Sequence, residues 1–347
     1  MEYFSWHAPA WDGLFAVPGT VPAAMLVAGE PGWGQDTFSQ ALAARLLCDD
    51  AQGSARTACG ACESCRWLAA GTHPDFRLVV PEADVEEAEA EEGTTPRKAE
   101  KKKSTQIRIE QIRALEDFVF TGSHRRGNRV IVLDPAEAMN LPAANSLLKI
   151  LEEPPATVYF ILSSSSWRRL LPTIISRCRR IAMPRPTREQ AMAWLGAQGT
   201  GKEAATLLPI LGGAPVAVRE WIEDGRAAAA RTVVASLQEP ENDPVMLAAR
   251  WATLVKDQEG LNRENLVTLI QRWVHDLLLF RLSGQVRFMS GQPEAVEKAA
   301  RGLSIPRLLA CYNELLRIRA VSSHPLNAQL FLEDLAARFL MATLAKS

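Results

Sequence analysis

Three short runs in the first half of the chain are apolar at nearly every position: AAMLVAG (23–29), NRVIVLD (128–134) and TVYFILSSS (157–165). A strand with one face in water alternates apolar and polar residues. A continuous run must be covered on both faces, which is the habit of parallel sheets. The segments between the runs carry helical spacing. In residues 36–48, Phe38, Leu42 and Leu46 recur every four positions, with Ala41, Ala44 and Cys48 on the flank. Residues 107–120 place Ile109, Ile112, Leu115 and Val119 on one face, and residues 141–155 read as a helix stopped by Pro154 and Pro155. DFRLVVPE (75–82) is a further strand candidate. Strands alternating with helices predict an α/β domain around a parallel sheet, over residues 1–182.

The pattern changes after Ile181. MPRPT (183–187) reads as a linker, and from Arg188 onward the sequence predicts helices and no strand. A small helical domain is expected over 183–225 and a longer one over 226–347. Residues 82–106 form an acidic block followed by a basic one, with almost nothing to bury, and read as a solvated, flexible insertion.

The chain of 347 residues has room for two or three domains. Its formal net charge of −1 makes no general case for a nucleic-acid or membrane surface. The first fifteen residues lack the pattern of a signal peptide, and no apolar run approaches the roughly 20 residues that span a bilayer. The expected location is the cytoplasm, without a membrane partner. The six cysteines are then expected as thiols or metal ligands rather than disulfides.

GEPGWGQDTF (29–38) follows the first apolar run and opens a helix. Gly29 and Gly34 match the glycines of a phosphate-binding loop, G-x-x-x-x-G-K-[ST]. The chemistry does not match. Gln35 stands where a lysine would meet the β/γ-phosphates, and Asp36 puts a carboxylate where a hydroxyl would ligate Mg²⁺. The residues favour a strand–helix turn that binds no ATP. NRVIVLD keeps Asp134, but Pro135 follows it where an ATPase carries the glutamate that polarises water. Glu137 is acidic and near, one turn further on.

Cys48, Cys59, Cys62 and Cys65 are spaced C-x10-C-x2-C-x2-C. Four thiolates of this spacing predict a closed, structural zinc site in a module of about residues 48–66, with an iron–sulfur cluster as the second metal reading. His73, in GTHPDF, is redundant as a ligand and reads as part of a turn before a strand. Further on, Ser176, Arg177 and Cys178 end a helical stretch. On residue chemistry alone, Arg177 reads as a surface arginine at a helix C-terminus. An arginine that completes a neighbour's ATP site in trans is the alternative.

Taken together, these residues resemble the clamp-loader subunits of the AAA+ class. The matching pieces are Trp6 and Trp11, GEPGWG, the four cysteines, GTHPDF, IRIEQIR, VIVLDPAEAMN, AANSLLKILEEPP, Ser163–Ser164 and SRC, in family order over most of residues 1–182. In the second half, GGAPVAVREW (212–221) is the best match. The departures at Gln35, Pro135 and, by approximate alignment, Pro215 resemble the delta-prime subunits of bacterial DNA polymerase III, the non-ATPase members that keep the SRC arginine.

That resemblance implies an AAA+-like α/β domain with a zinc-binding insertion, a small helical lid and a C-terminal helical collar. It implies no intrinsic ATPase, within a DNA-directed DNA polymerase holoenzyme. Arg177, with Ser176 and Cys178 as its motif, is implied as an arginine finger in trans. The implied partners are the gamma/tau ATPase subunits and the delta subunit, with the sliding clamp and primed DNA reached through the complex. A working AAA+ ATPase and a zinc-dependent nucleic-acid-binding protein are the competing readings.

Overall fold

The computed structural model describes residues 2–16, 21–50, 57–83, 104–120, 127–255, 260–322, 324 and 327–343. The chain divides into two compact units, Met1–Arg185 and Pro186–Ser347.

In the first unit, a 3-10 turn (Ser5–His7) and helix α1 (Ala8–Leu14) precede the sheet. Strands β1 (Ala24–Ala28), β2 (Phe76–Val79), β3 (Arg129–Leu133), β4 (Val158–Ser164) and β5 (Arg179–Ala182) form one sheet in the order β2-β3-β4-β1-β5. Every neighbouring pair is parallel. Helices α2 (Gln35–Leu47), α3 (Glu63–Ala69), α4 (Ile109–Phe120), α5 (Leu141–Glu152) and α6 (Pro172–Arg177) lie in the connections.

The apolar runs are continuous because successive side chains serve two different cores. Leu26, Ile131, Leu133, Phe160 and Leu162 join Ile112, Leu115, Leu147 and Ile150 on one face. Met25, Val27, Val130, Val132 and Ile161 join Trp11, Phe38 and Leu42 on the other. Helix α5 starts where the Asn140 side chain accepts a hydrogen bond from the Ala143 amide at 2.9 Å. It ends at Glu152, because Glu153 precedes a proline and leaves the helical region, with φ at −137°.

The expected strands and helices of this unit are present, with bounds shifted by one or two residues except for the second strand, which is shorter at Phe76–Val79. Besides the short α3 inside the cysteine module, two elements were not read from the sequence. The short β5 buries only Ile181. The N-terminal α1 is fixed by tertiary contacts, with Tyr3 stacked on Trp11 at 4.4 Å. His73 forms the expected turn: buried, its Nδ1 accepts from the Asp75 amide at 3.1 Å just before β2. Most of the charged insertion, residues 84–103, lies outside the described residues. Its flanks meet, since the Ala83 amide donates to the Ser104 carbonyl at 3.1 Å. The chain therefore leaves and re-enters the domain at one point.

The second unit contains only helices and one isolated bridge among the described residues. They are α7 (Arg188–Ala197), α8 (Gly201–Ile210), α9 (Pro215–Glu223), α10 (Arg226–Gln238), α11 (Pro244–Ala252), α12 (Arg263–Ser283), α13 (Pro293–Ala300), α14 (Ile305–Val321) and α15 (Ala328–Thr343). One apolar core runs through them, from Ala191 to Ala342. Gly212 and Gly213, both at positive φ, end α8, and Pro215 opens α9. Arg272 on α12 donates to the Ile210 carbonyl at 2.8 Å, tying the end of α8 to the long helix.

Asp276 on α12 is fully buried and organises the loop that follows. Its carboxylate accepts the amides of Arg287, Phe288 and Met289 at 3.2, 2.8 and 2.7 Å. Removing a buried carboxylate strands those donors, and hydrogen bonds to a charged group contribute about 1.5–3 kcal/mol each, without adding fully. Asp276→Ala is expected to destabilise this unit by about 3 kcal/mol. Urea unfolding followed by tryptophan fluorescence checks this, and an unchanged midpoint would refute it.

Candidate functional site

All strands of the sheet run the same way, so their carboxyl ends share one edge, where ligands of open α/β folds bind. The loop after β1 lies on that edge. Gln35 is buried there, and its side-chain amide donates to the Glu30 carbonyl at 2.8 Å. It folds back across the loop instead of reaching out to a phosphate. Asp36 is exposed in the first turn of α2, where a carboxylate is favoured by the helix dipole.

The glycines are held for steric reasons of the fold itself. Gly34 sits at φ +86°, and a Cβ there would collide with the Phe4 ring. A Cβ on Gly29 would lie 2.9 Å from Met183. The N-terminal segment braces the loop further. The Trp6 indole N–H and the His7 Nε2–H both donate to the Trp33 carbonyl, at 3.0 and 2.8 Å. Burial pushes the His7 pKa below its ordinary value, against the opposing pull of the Trp33 carbonyl and Asp36.

The neighbouring loop, after β4, is tied to the end of β3. Glu137 Oε1 accepts from the Ser165 amide at 3.0 Å, the Ser165 hydroxyl at 2.9 Å and the Ser166 amide at 2.9 Å. Glu137 thus serves as an internal anchor for serines 165 and 166. Beside this anchor a cavity of about 420 Å³ opens, lined by Gly29, Trp33, Ser165, Arg168 and Arg169 among others. The segment of chain that follows is rich in arginine, and of its arginines only Arg168 and Arg169 line the cavity. Between Trp167 and Arg185 the sequence has six arginines and no acid. The Trp167 ring lies against the guanidinium groups of Arg168 and Arg180, at 4.6 and 4.7 Å. Neither the Glu137 anchor nor the aromatic brace was legible in the sequence, because both join residues far apart in the chain.

Arg177 lies on the opposite side of the sheet. It ends α6, two residues before Arg179, which pairs with Met25 near the start of β1. Four residues of strand, about 13 Å at ~3.3 Å per residue, separate that level from Gly29. The three residues of the motif do different work. Cys178 is buried in the core, and burial pushes its thiol up to about 11. The Ser176 hydroxyl donates to the Thr173 carbonyl at 3.0 Å. Arg177 faces outward, with Nη1 donating to the same carbonyl at 3.1 Å and Nη2 paired to Glu152 Oε1 at 2.6 Å.

The four cysteines converge. All four sulfurs lie within 4.8 Å of one another. Cys48 and Cys62 are 3.9 Å apart, and Cys59 and Cys65 are 4.0 Å apart. A tetrahedral site with metal–sulfur bonds of about 2.3 Å has sulfur–sulfur edges of about 3.8 Å. The spacing therefore fits one ion. Backbone amides also support the sulfurs: Cys59 N–H donates to Cys48 Sγ, Cys62 N–H to Cys59 Sγ and Cys65 N–H to Cys62 Sγ, at 3.3, 3.3 and 3.4 Å. Such amides pull the Cys59 thiol down, while burial pushes Cys48 up and Cys65 up to about 12. These four cysteines can hold a metal ion. Residues 51–56 of the expected module lie outside the described residues.

A family model described as "DNA polymerase III, delta subunit" matches residues 16–187. A DNA polymerase III subunit delta' from Yersinia pestis is 30% identical over 312 residues, covering 85% of this chain and 82% of that protein. The chain belongs to the DNA polymerase III delta-prime family. The Escherichia coli K12 member is 29% identical over 97% of this chain and 95% of its own length. The Pseudomonas aeruginosa member is 37% identical over 62% of this chain, and the match spans 60% of that relative. In this delta-prime-family chain, no helix among the described residues is long and apolar enough to cross a membrane.

The sulfur geometry predicts one metal ion per chain in protein purified without chelators. Elemental analysis together with a thiol titration checks this. One metal with four protected thiols is the expected result, and no metal with all cysteines freely reactive would refute it.

Proposed function

We propose that this chain is the non-ATPase, delta-prime subunit of the DNA polymerase III clamp loader, and that it helps to load the sliding clamp onto primed DNA. Its partners in this reading are the gamma/tau ATPase subunits and the delta subunit. The clamp and the DNA are met through the complex, in the cytoplasm. The first unit serves as the AAA+-like module. The helical remainder serves as a lid (183–225) and a collar (226–347), the lid beginning in the last residues of the first unit. The ion held by Cys48, Cys59, Cys62 and Cys65 is zinc, in a structural role: a closed set of four thiolates leaves no open position for substrate.

One observation carries the reading. The sheet's parallel order puts Arg177 and the chain's own loop on opposite edges. Arg177 cannot reach a phosphate bound at that loop, so an ATP-directed role for it lies on a neighbouring subunit. The inward-folded Gln35 and the displaced water-activating position at Pro135 support the same division of labour. A guanidinium brought to a γ-phosphate neutralises charge as the phosphoryl group transfers, which raises the rate by about 10³–10⁵.

Arg177→Ala is expected to leave assembly of the complex intact. The ATP site completed by Arg177 is expected to slow about a thousandfold, so total DNA-stimulated ATPase falls by that site's share. Steady-state ATPase of the reconstituted complex checks this, and an unchanged rate removes the trans role.

A further inference from the structure

We propose that Glu152 is a positioning residue for Arg177, holding the guanidinium ready for the neighbour's phosphate. The inference rests on the trans role of Arg177 given above.

Glu152 is the last residue of α5. A carboxylate there faces the negative end of the helix dipole, which disfavours it. Its placement is offset by the contact with Arg177, whose Nη2 lies 2.6 Å from Glu152 Oε1. The second hold on the guanidinium is Nη1 to the Thr173 carbonyl at 3.1 Å. Two holds on one rigid plane fix its orientation. An arginine otherwise loses substantial rotamer freedom when it docks, and prior orientation removes part of that loss. A guanidinium carries about five N–H donors, so two holds leave about three for phosphoryl oxygens.

The pair is also open to a partner. The side chains are 35% and 55% exposed for Arg177 and Glu152. An ion pair this exposed adds little to folding stability. Stability alone therefore gives weak reason for an acid at this position, whereas orientation of an outward-facing arginine gives a direct one. The acid and the arginine belong to separate helices, each ending at the same surface, α5 at a proline pair and α6 at the buried Cys178.

The test compares Glu152→Gln, Arg177→Ala and the double variant in the reconstituted complex with gamma/tau, delta, clamp and primed DNA. Glu152→Gln is expected to remove most of the ATPase rate that Arg177→Ala removes, acting on kcat with KM for ATP unchanged. The double variant should match Arg177→Ala alone. The thermal midpoint of the Glu152→Gln chain should equal that of the parent, which separates positioning from a structural effect. If Arg177→Ala lowers the rate while Glu152→Gln leaves it unchanged or raises it, positioning is overturned and the trans role stands. If Arg177→Ala itself changes nothing, both readings fall.

Discussion

A sheet whose strands all run in one direction has two chemically different edges. Every βα loop of the first unit emerges at the carboxyl edge, and every return enters at the other. That constraint fixes where each functional residue of the first unit can lie. The continuous apolar runs require the sheet to be covered on both faces, and coverage by helices requires crossovers that keep the strands parallel. The loop after β1 and the arginine before β5 are thereby separated within one chain. In the proposed reading, that separation directs Arg177 to a neighbouring subunit's phosphate.

The loop 29–38 is held by contacts within its own chain. Gly34 is required by its left-handed backbone and by the Phe4 ring pressed against it. Gly29 is required by the closeness of Met183. Gln35 satisfies the Glu30 carbonyl from within. Each residue has a reason to stay that does not involve phosphate. The aromatic brace of Trp6 and His7 on the Trp33 carbonyl adds a second fixed side.

Much of this was readable from residue patterns, for physical reasons that can be named. Runs buried on both faces announce themselves by lacking polar positions, so β1, β3 and β4 were legible. Strand β5 was not, because RRIA at a sheet edge buries one side chain. The cysteine site was legible because the last three ligands sit close in sequence on a turn and a short helix, with Cys48 the one distant partner. The absence of a lysine and a hydroxyl at Gln35 and Asp36 was legible, since charge and donor type are properties of single residues. The contacts that give the site its geometry were not. Glu137 with Ser165 and Ser166, Phe4 with Gly34, and Glu152 with Arg177 each join positions 25 or more residues apart. Only the fold selects those pairs from the many that the sequence allows.

Equilibrium titration of the isolated, monodisperse chain with ATP and Mg²⁺ decides whether the loop after β1 is a nucleotide site. A subunit whose Gln35 is turned back onto its own loop should show no saturable binding at millimolar nucleotide. Saturable binding at micromolar nucleotide would contradict the account, because the loop would then be a working site and this chain an ATP-binding member of its ring.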